Sequence, residues 1–304
     1  MDRFDTLLQQ LKRHVPEMEL REYEPMAAHT TFRIGGPARL MALPRTTEQA
    51  VEAVRAAAAA GIPVFYLGNG SNLLVSDNGY DGFVLKTGGL DHVTHCGDLL
   101  RAGSGLLLSR LASTAYGHGL TGLEFAHGIP GSVGGGVAMN AGAYGGDLSQ
   151  VLTTVTFLDD ECQLRSLPAE ACELTYRHTL FTCHPNWLIL ETEFALTPGD
   201  PAAIKAKMEE LAQKRRTKQP LELPSAGSTF KRPEGHFAGA LIEQCGLKGV
   251  GVGGAQVSEK HAGFVVNRGG ATADDALRLI DLVQSTVLRE TGVSLEPEVK
   301  FLGF

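Results

Sequence analysis

The chain has 304 residues, 37 of them glycine, with 43 % hydrophobic and 20 % charged residues and a formal net charge of −7. That length suits about two domains or three small ones. The composition excludes a disordered chain, and glycines without an every-third-residue period exclude a collagen-like one. The acidic balance, the single tryptophan and 7 % aromatic residues argue against a nucleic-acid scaffold or a base-stacking platform.

No run approaches the ~18 apolar residues that a membrane span requires, so no membrane insertion is expected. The amino terminus, Met1-Asp2-Arg3-Phe4-Asp5, lacks the apolar segment of a signal peptide. The five cysteines (Cys96, Cys162, Cys172, Cys183 and Cys245) are odd in number and form no CxxC pair, and the ten histidines are scattered. A disulfide framework or a zinc site is therefore not expected, and free thiols suit the cytoplasm.

In chain order, Arg39 to Leu74 reads as β-α-β. Arg39–Leu43 is extended, and Thr46 with Gln49 fits a capping box. A helix then runs through Ala56–Ala60 to Gly61, and Pro63–Leu67 is a strand. Further strands are expected at Phe83–Lys86, Val151–Leu158 and Leu188–Leu196. A helix follows from Pro201 to Arg216, then helices near His236–Cys245 and Ala273–Glu290, with strand-like Phe264-Val265-Val266 between them. This gives two β-rich lobes, about 20–88 and 89–198, and an α/β lobe at about 218–296.

Glycine is unevenly spread: residues 68–146 hold 20 of the 37 and residues 147–198 hold none. Gly68-Asn69-Gly70-Ser71-Asn72 follows a strand, but position 73 is leucine and Leu73-Leu74-Val75 reads as another strand. A dinucleotide fingerprint needs glycine there and a helix after it, so that reading fails. No GxxxxGK[ST] loop occurs. The loop at 68–72, and a second at Gly128-Ile129-Pro130-Gly131-Ser132-Val133-Gly134-Gly135-Gly136 with Asn140 and Gly142 beyond it, suit either tight turns or a backbone cradle for a diphosphate.

With Thr31-Phe32-Arg33-Ile34-Gly35-Gly36-Pro37-Ala38, Tyr176-Arg177, Pro224-Ser225-Ala226-Gly227-Ser228-Thr229-Phe230-Lys231 and Leu295-Glu296-Pro297-Glu298-Val299, these loops form an ordered set over about residues 22–304. The set resembles the UDP-N-acetylenolpyruvoylglucosamine reductases, which supply UDP-N-acetylmuramate for peptidoglycan. The resemblance implies an α+β chain: an FAD-binding domain of two subdomains (1–88 and 89–217) of the vanillyl-alcohol-oxidase (PCMH) type, then an α/β substrate domain (218–304). It implies noncovalent FAD and NADPH as reducing co-substrate. It also implies a monomer that binds no nucleic acid.

By the same resemblance, Gly68, Asn69, Gly70, Ser71, Asn72, Gly128, Ile129, Pro130, Gly131, Ser132, Gly134, Gly135, Asn140 and Gly142 approach the cofactor. Arg177 would hold the enolpyruvyl carboxylate, Ser228 would protonate C2, and Glu298 would act as an acid beside it. Tyr176, Lys218, Lys231 and Arg232 would meet the sugar nucleotide. Taken locally, each of these also reads as a surface, turn or solvated residue. Only Thr197 to Asp200 separate the Leu188–Leu196 strand from the next helix, so the chain resembles the subgroup without a tyrosine-bearing substrate loop there. Two other readings stay open: another FAD oxidoreductase of the same fold, and a flavin- or nucleotide-binding protein without turnover.

Overall fold

A computed structural model describes residues 2–304. They divide into two compact units, each assembled from three stretches of chain. The first takes the residues up to Glu22, Leu40–Asn69 and Gly82–Gln213; the second takes Tyr23–Arg39, Gly70–Asp81 and Lys214–Phe304. Residues 20–88, read from the sequence as one lobe, thus serve both units. The helices are α1 (Arg3–His14), α2 (Thr47–Ala59), α3 (Leu108–Gly117), α4 (Val133–Ala138), α5 (Leu180–Cys183), α6 (Pro201–Lys218), α7 (Ala238–Gln244) and α8 (Ala273–Thr291). Among the described residues no helix is long and apolar enough to cross a membrane.

The first unit holds two apolar cores. In one, Leu7 and Leu11 of α1 and Ala50, Ala53 and Ala57 of α2 pack with Phe83 and Leu85. α1 starts with a capping box between Asp2 and Asp5. At α2 only half of the expected box forms. Thr46 Oγ1 accepts the Gln49 N–H at 3.3 Å, but the longer Gln49 side chain reaches past Thr46 and accepts from the Arg45 N–H at 2.8 Å. Strands Glu19–Pro25, Pro37–Leu43, Tyr80–Lys86 and Val64–Leu67 lie in that order in one sheet, with Val64–Leu67 running parallel to Phe83–Lys86.

The other core lies on a five-stranded antiparallel sheet ordered Leu164–Pro168, Leu152–Leu158, Leu188–Ala195, Leu99–Gly103, Val93–Cys96. Val155, Phe157 and Phe194 are buried there against Leu108 and Leu111 of α3, Val133 and Val137 of α4, and Ile204 and Met208 of α6. Leu152–Leu158 and Leu188–Ala195, two of its three interior strands, come from the glycine-free stretch, where side chains must fill a pleated, buried surface. Burial pushes the Cys172 thiol up to about 11, so it packs as an apolar group.

The second unit packs α7 and α8 on a three-stranded antiparallel sheet, Gly251–Val252, Ala255–Val257 and Val265–Asn267. Its core joins Ile242, Val257, Val265, Leu279 and Val283 to Phe32, Ile34 and Leu74 from far upstream. Leu73–Val75 pairs in parallel with Lys300–Leu302. α8 opens with a capping box of Thr272 and Asp275 and closes on Gly292 at φ 73°.

Candidate functional site

In the first unit the two glycine loops meet. The strand Val64–Leu67 delivers Gly68 against Ser132, where a Cβ would overlap the Ser132 hydroxyl. Next to it, Asn69 Nδ2 donates to the Pro130 carbonyl at 2.5 Å. The second loop is not all loop, as the sequence suggested. Ser132 caps α4 by accepting the Gly135 N–H at 3.4 Å, and the Gly134 N–H donates to the Ser104 carbonyl at 2.8 Å. Three glycines in one turn are tolerated because the Ser132 cap and burial of Val133 and Val137 fix that turn. Gly128, Pro130 and Gly135 are exposed. Among the described residues, no acceptor meets the backbone N–H of Asn69, Gly128 or Gly131. Such unspent amides in glycine-rich turns are the donor set a diphosphate takes, so the residues present fit FAD.

Asn140, Gly142, Tyr176 and Arg177 form a second cluster in the same unit. Thr175 and His178 exchange backbone hydrogen bonds of 3.0 and 3.3 Å, which makes Tyr176 and Arg177 the tip of a two-residue turn. Arg177 sits at φ 55°, its guanidinium 5.1 Å from the Tyr176 ring centroid, and its Nη2 donates to the Gly142 carbonyl at 3.4 Å. Asn140 is buried, and its side chain bonds to Ser149 and Thr175.

The second unit collects the remaining residues. Glu298 donates its backbone N–H to the Thr229 carbonyl at 2.8 Å, Phe230 and Pro297 form a β-bridge, and the Lys231 N–H donates to the Glu296 carbonyl at 2.8 Å. This pairing puts Thr229, the chain neighbour of Ser228, opposite Glu298. Ser228 is exposed, following Gly227 at φ 75°, while Thr229 is buried, its Oγ1 accepting the Val265 N–H at 2.9 Å. Asn72 Nδ2 donates to the Glu298 carbonyl at 3.0 Å, and the Asn72 carbonyl receives the Lys300 N–H at 3.1 Å. Gly70 stands at φ 61°, where a Cβ would overlap the His29 carbonyl. Among the described residues, no acceptor meets the Gly70 or Ser71 N–H. Gly70, Ser71, Asn72, Ser228 and Glu298 therefore belong to one unit, and Gly68, Asn69, the 128–135 loop and Arg177 to the other.

Residues 219–302 match the C-terminal domain of UDP-N-acetylenolpyruvoylglucosamine reductase, and residues 38–167 match an FAD-binding domain. The enzyme of that name from Agathobacter rectalis is 47 % identical over 312 residues, covering 98 % of each chain. The one from Exiguobacterium sibiricum is 49 % identical over 280 residues, covering 92 % of each. The chain belongs to the UDP-N-acetylenolpyruvoylglucosamine reductase family. The crystal structure of UDP-N-acetylenolpyruvylglucosamine reductase from Thermus caldophilus matches with a TM-score of 0.79 at 34 % identity, covering 94 % of this chain and 98 % of that one. The α+β chain accordingly joins an FAD-binding domain to the C-terminal domain of the reductase family.

Within this reductase fold the cations expected at the sugar nucleotide are unequal. Lys231 forms an ion pair with Glu296. The Arg232 guanidinium stacks 4.0 Å from the ring centroid of the exposed Phe237, and its Nε donates to the His236 carbonyl at 3.4 Å. Lys218 is exposed at the end of α6. Two threonines to which the sequence assigns no role tie chain segments together. Thr179 Oγ1 donates to the Ala138 carbonyl at 2.7 Å, and Thr31 Oγ1 donates to the Ser225 carbonyl at 2.6 Å. A hydroxyl's partner is not written in local spacing, even inside a motif, so these contacts emerge only in the fold.

Proposed function

We propose that the protein reduces UDP-N-acetylglucosamine enolpyruvate to UDP-N-acetylmuramate with NADPH, a step of peptidoglycan precursor synthesis, with Ser228, Glu298 and Arg177 as its catalytic residues. The observation that supports this reading is the hydrogen-bonded pairing of residues 229–231, which directly follow Ser228, with residues 296–298 in a chain of the reductase family. FAD, when bound, supplies the hydride that it receives from NADPH. The Asn69, Gly70, Ser71, Gly128 and Gly131 amides, which meet no acceptor among the described residues, would receive its diphosphate.

Hydride addition at C3 of the enolpyruvyl group leaves negative charge at C2 and on the carboxylate. Arg177 meets that carboxylate with a planar pair of donors and stays cationic as charge develops. Ser228 gives its hydroxyl proton to C2, a strongly basic carbon once charge has built up. Glu298, assigned as an acid, stabilises the charged intermediate. Lys218, Lys231, Arg232 and Tyr176 are assigned to the sugar nucleotide. Residues 1–88 and 89–217 are assigned to the two FAD subdomains and 218–304 to substrate. We assign the protein to the cytoplasm as a monomer without nucleic-acid partners; its free thiols support the location and its acidic charge supports the absence of nucleic acid.

The test follows each half-reaction by flavin absorbance. Ser228→Ala leaves NADPH reduction at the wild-type rate and slows reoxidation by UDP-N-acetylglucosamine enolpyruvate by about 10²–10⁴-fold. Wild-type rates in both halves would remove Ser228 from the mechanism. NADPH oxidation indifferent to the enolpyruvyl compound would remove the reductase reading itself.

A further inference from the structure

We propose that Asn140 is a positioning residue that sets the Arg177 guanidinium, a reading that rests on Arg177 as the carboxylate-binding group. Asn140 is 4 % exposed, at φ 43°, a left-handed conformation that asparagine adopts more readily than most side chains. Its Oδ1 accepts the Ser149 N–H at 3.0 Å and its Nδ2 donates to the Thr175 carbonyl at 3.2 Å. Thr175 is the first residue of the turn whose tip is Tyr176-Arg177.

Two further tethers flank this one. Thr179, wholly buried, donates from Oγ1 to the Ala138 carbonyl at 2.7 Å, and Arg177 Nη2 donates to the Gly142 carbonyl at 3.4 Å. Alternate residues 138, 140 and 142 thus hold residues 179, 175 and 177. Asn140 is the one that contributes a side chain, and it grips the turn at its base. Arg177 itself lies at φ 55°, a conformation that a non-glycine residue keeps only when its surroundings impose it. The Ser149 N–H also donates to Asp147 Oδ1 at 3.0 Å, so loss of the Asn140 amide falls on the Thr175 carbonyl, which keeps the His178 N–H at 3.3 Å but loses its tie to residue 140. The assignment of Asn140 to the cofactor is replaced by one that acts through Arg177.

Asn140→Asp separates the two contacts. It keeps the acceptor for Ser149 and the tolerance of a left-handed backbone, but turns the donor to Thr175 into a repelling oxygen. FAD-loaded Asn140→Asp, Asn140→Ala, Arg177→Ala and the Asn140→Ala/Arg177→Ala pair are compared in both half-reactions. Calorimetry measures the affinity of each oxidised holoenzyme for UDP-N-acetylglucosamine enolpyruvate. We expect both Asn140 variants to slow flavin reoxidation by about 10²-fold and to bind the enolpyruvyl compound more weakly, with NADPH reduction unchanged. The double variant should be no slower than Arg177→Ala alone, because the two residues act as a unit.

Reoxidation of Asn140→Asp at the wild-type rate overturns the proposal, as do losses that multiply in the double variant. Asn140 variants that no longer retain FAD also overturn it, by assigning Asn140 to the cofactor. If Arg177→Ala itself reoxidises normally, the reading of Arg177 fails first and the positioning role fails with it.

Discussion

Ser228 directly precedes residues 229–231, and the backbone of that segment hydrogen-bonds to residues 296–298. Glu296 of the same segment forms an ion pair with Lys231. Beside the same segment lies His261. Burial holds its pKa below the ordinary value near 6.5, and Lys248 and Lys218 lower it further, against opposing contributions from a backbone hydrogen bond and from Glu243. Its Nδ1 accepts the Gly263 N–H at 3.1 Å, and the Gly263 carbonyl in turn accepts the Thr229 N–H at 2.8 Å. The unfolded chain therefore binds the proton more readily than the folded one. The contribution of His261 to stability is complete above about pH 6.5 and is lost as pH falls below it. Thermal melting between pH 8 and 5 should show that decline, with a shallower slope in His261→Gln; an unchanged slope would exclude His261 as its source. Ser228, Glu298 and Arg177 were candidates through the motifs around them. His261 was not, since nothing in a lone histidine of a glycine-containing run announces that it will be half-buried against Gly263, which holds Thr229.

Among elements, the legible ones carry their own local signals. α2 and α8 are bounded by capping residues and by Gly61 and Gly292, and the strands Leu152–Leu158 and Leu188–Ala195 are dense in branched and apolar residues. α4 was illegible because Gly134, Gly135 and Gly136 have poor helix propensity, and the burial that overrides it comes from distant segments. The parallel pairing of Leu73–Val75 with Lys300–Leu302 likewise has no local cue. α8 combines both kinds of information. Its own Thr272 and Asp275 close a capping box, yet the Ala273 and Asp274 N–H groups donate to Asp77 at 2.8 and 3.2 Å. A carboxylate at a helix amino terminus satisfies orphan donors and opposes the helix dipole. Asp77→Ala should lower stability by about 1–2 kcal/mol, with Asp77→Asn recovering part of it. Equal melting temperatures for Asp77→Ala and the wild type would show that Thr272 and Asp275 suffice.

At the scale of the whole molecule, the chain passes repeatedly between its two units, so neither unit is a contiguous stretch that can be cut out. The reductase-specific region, matched at residues 219–302, is the sharpest case. Its core takes Phe32 and Ile34, each 2 % exposed, and Leu74, fully buried, from the first quarter of the sequence. It also takes Leu73–Val75 as the partner of Lys300–Leu302, the Asp77 carboxylate on α8, and the Thr31 hydroxyl on the Ser225 carbonyl. Deleting one large buried apolar side chain costs about 2–5 kcal/mol. A domain has only about 5–15 kcal/mol to lose. Removing three such side chains with their strand exceeds what this unit can tolerate. A fragment of residues 214–304 should therefore keep some helical far-ultraviolet dichroism but show neither near-ultraviolet signal nor a cooperative thermal transition. Supplying residues 23–39 and 70–81 through designed linkers should restore both. Cooperative melting of the bare 214–304 fragment would mean that the upstream residues decorate a core already complete without them.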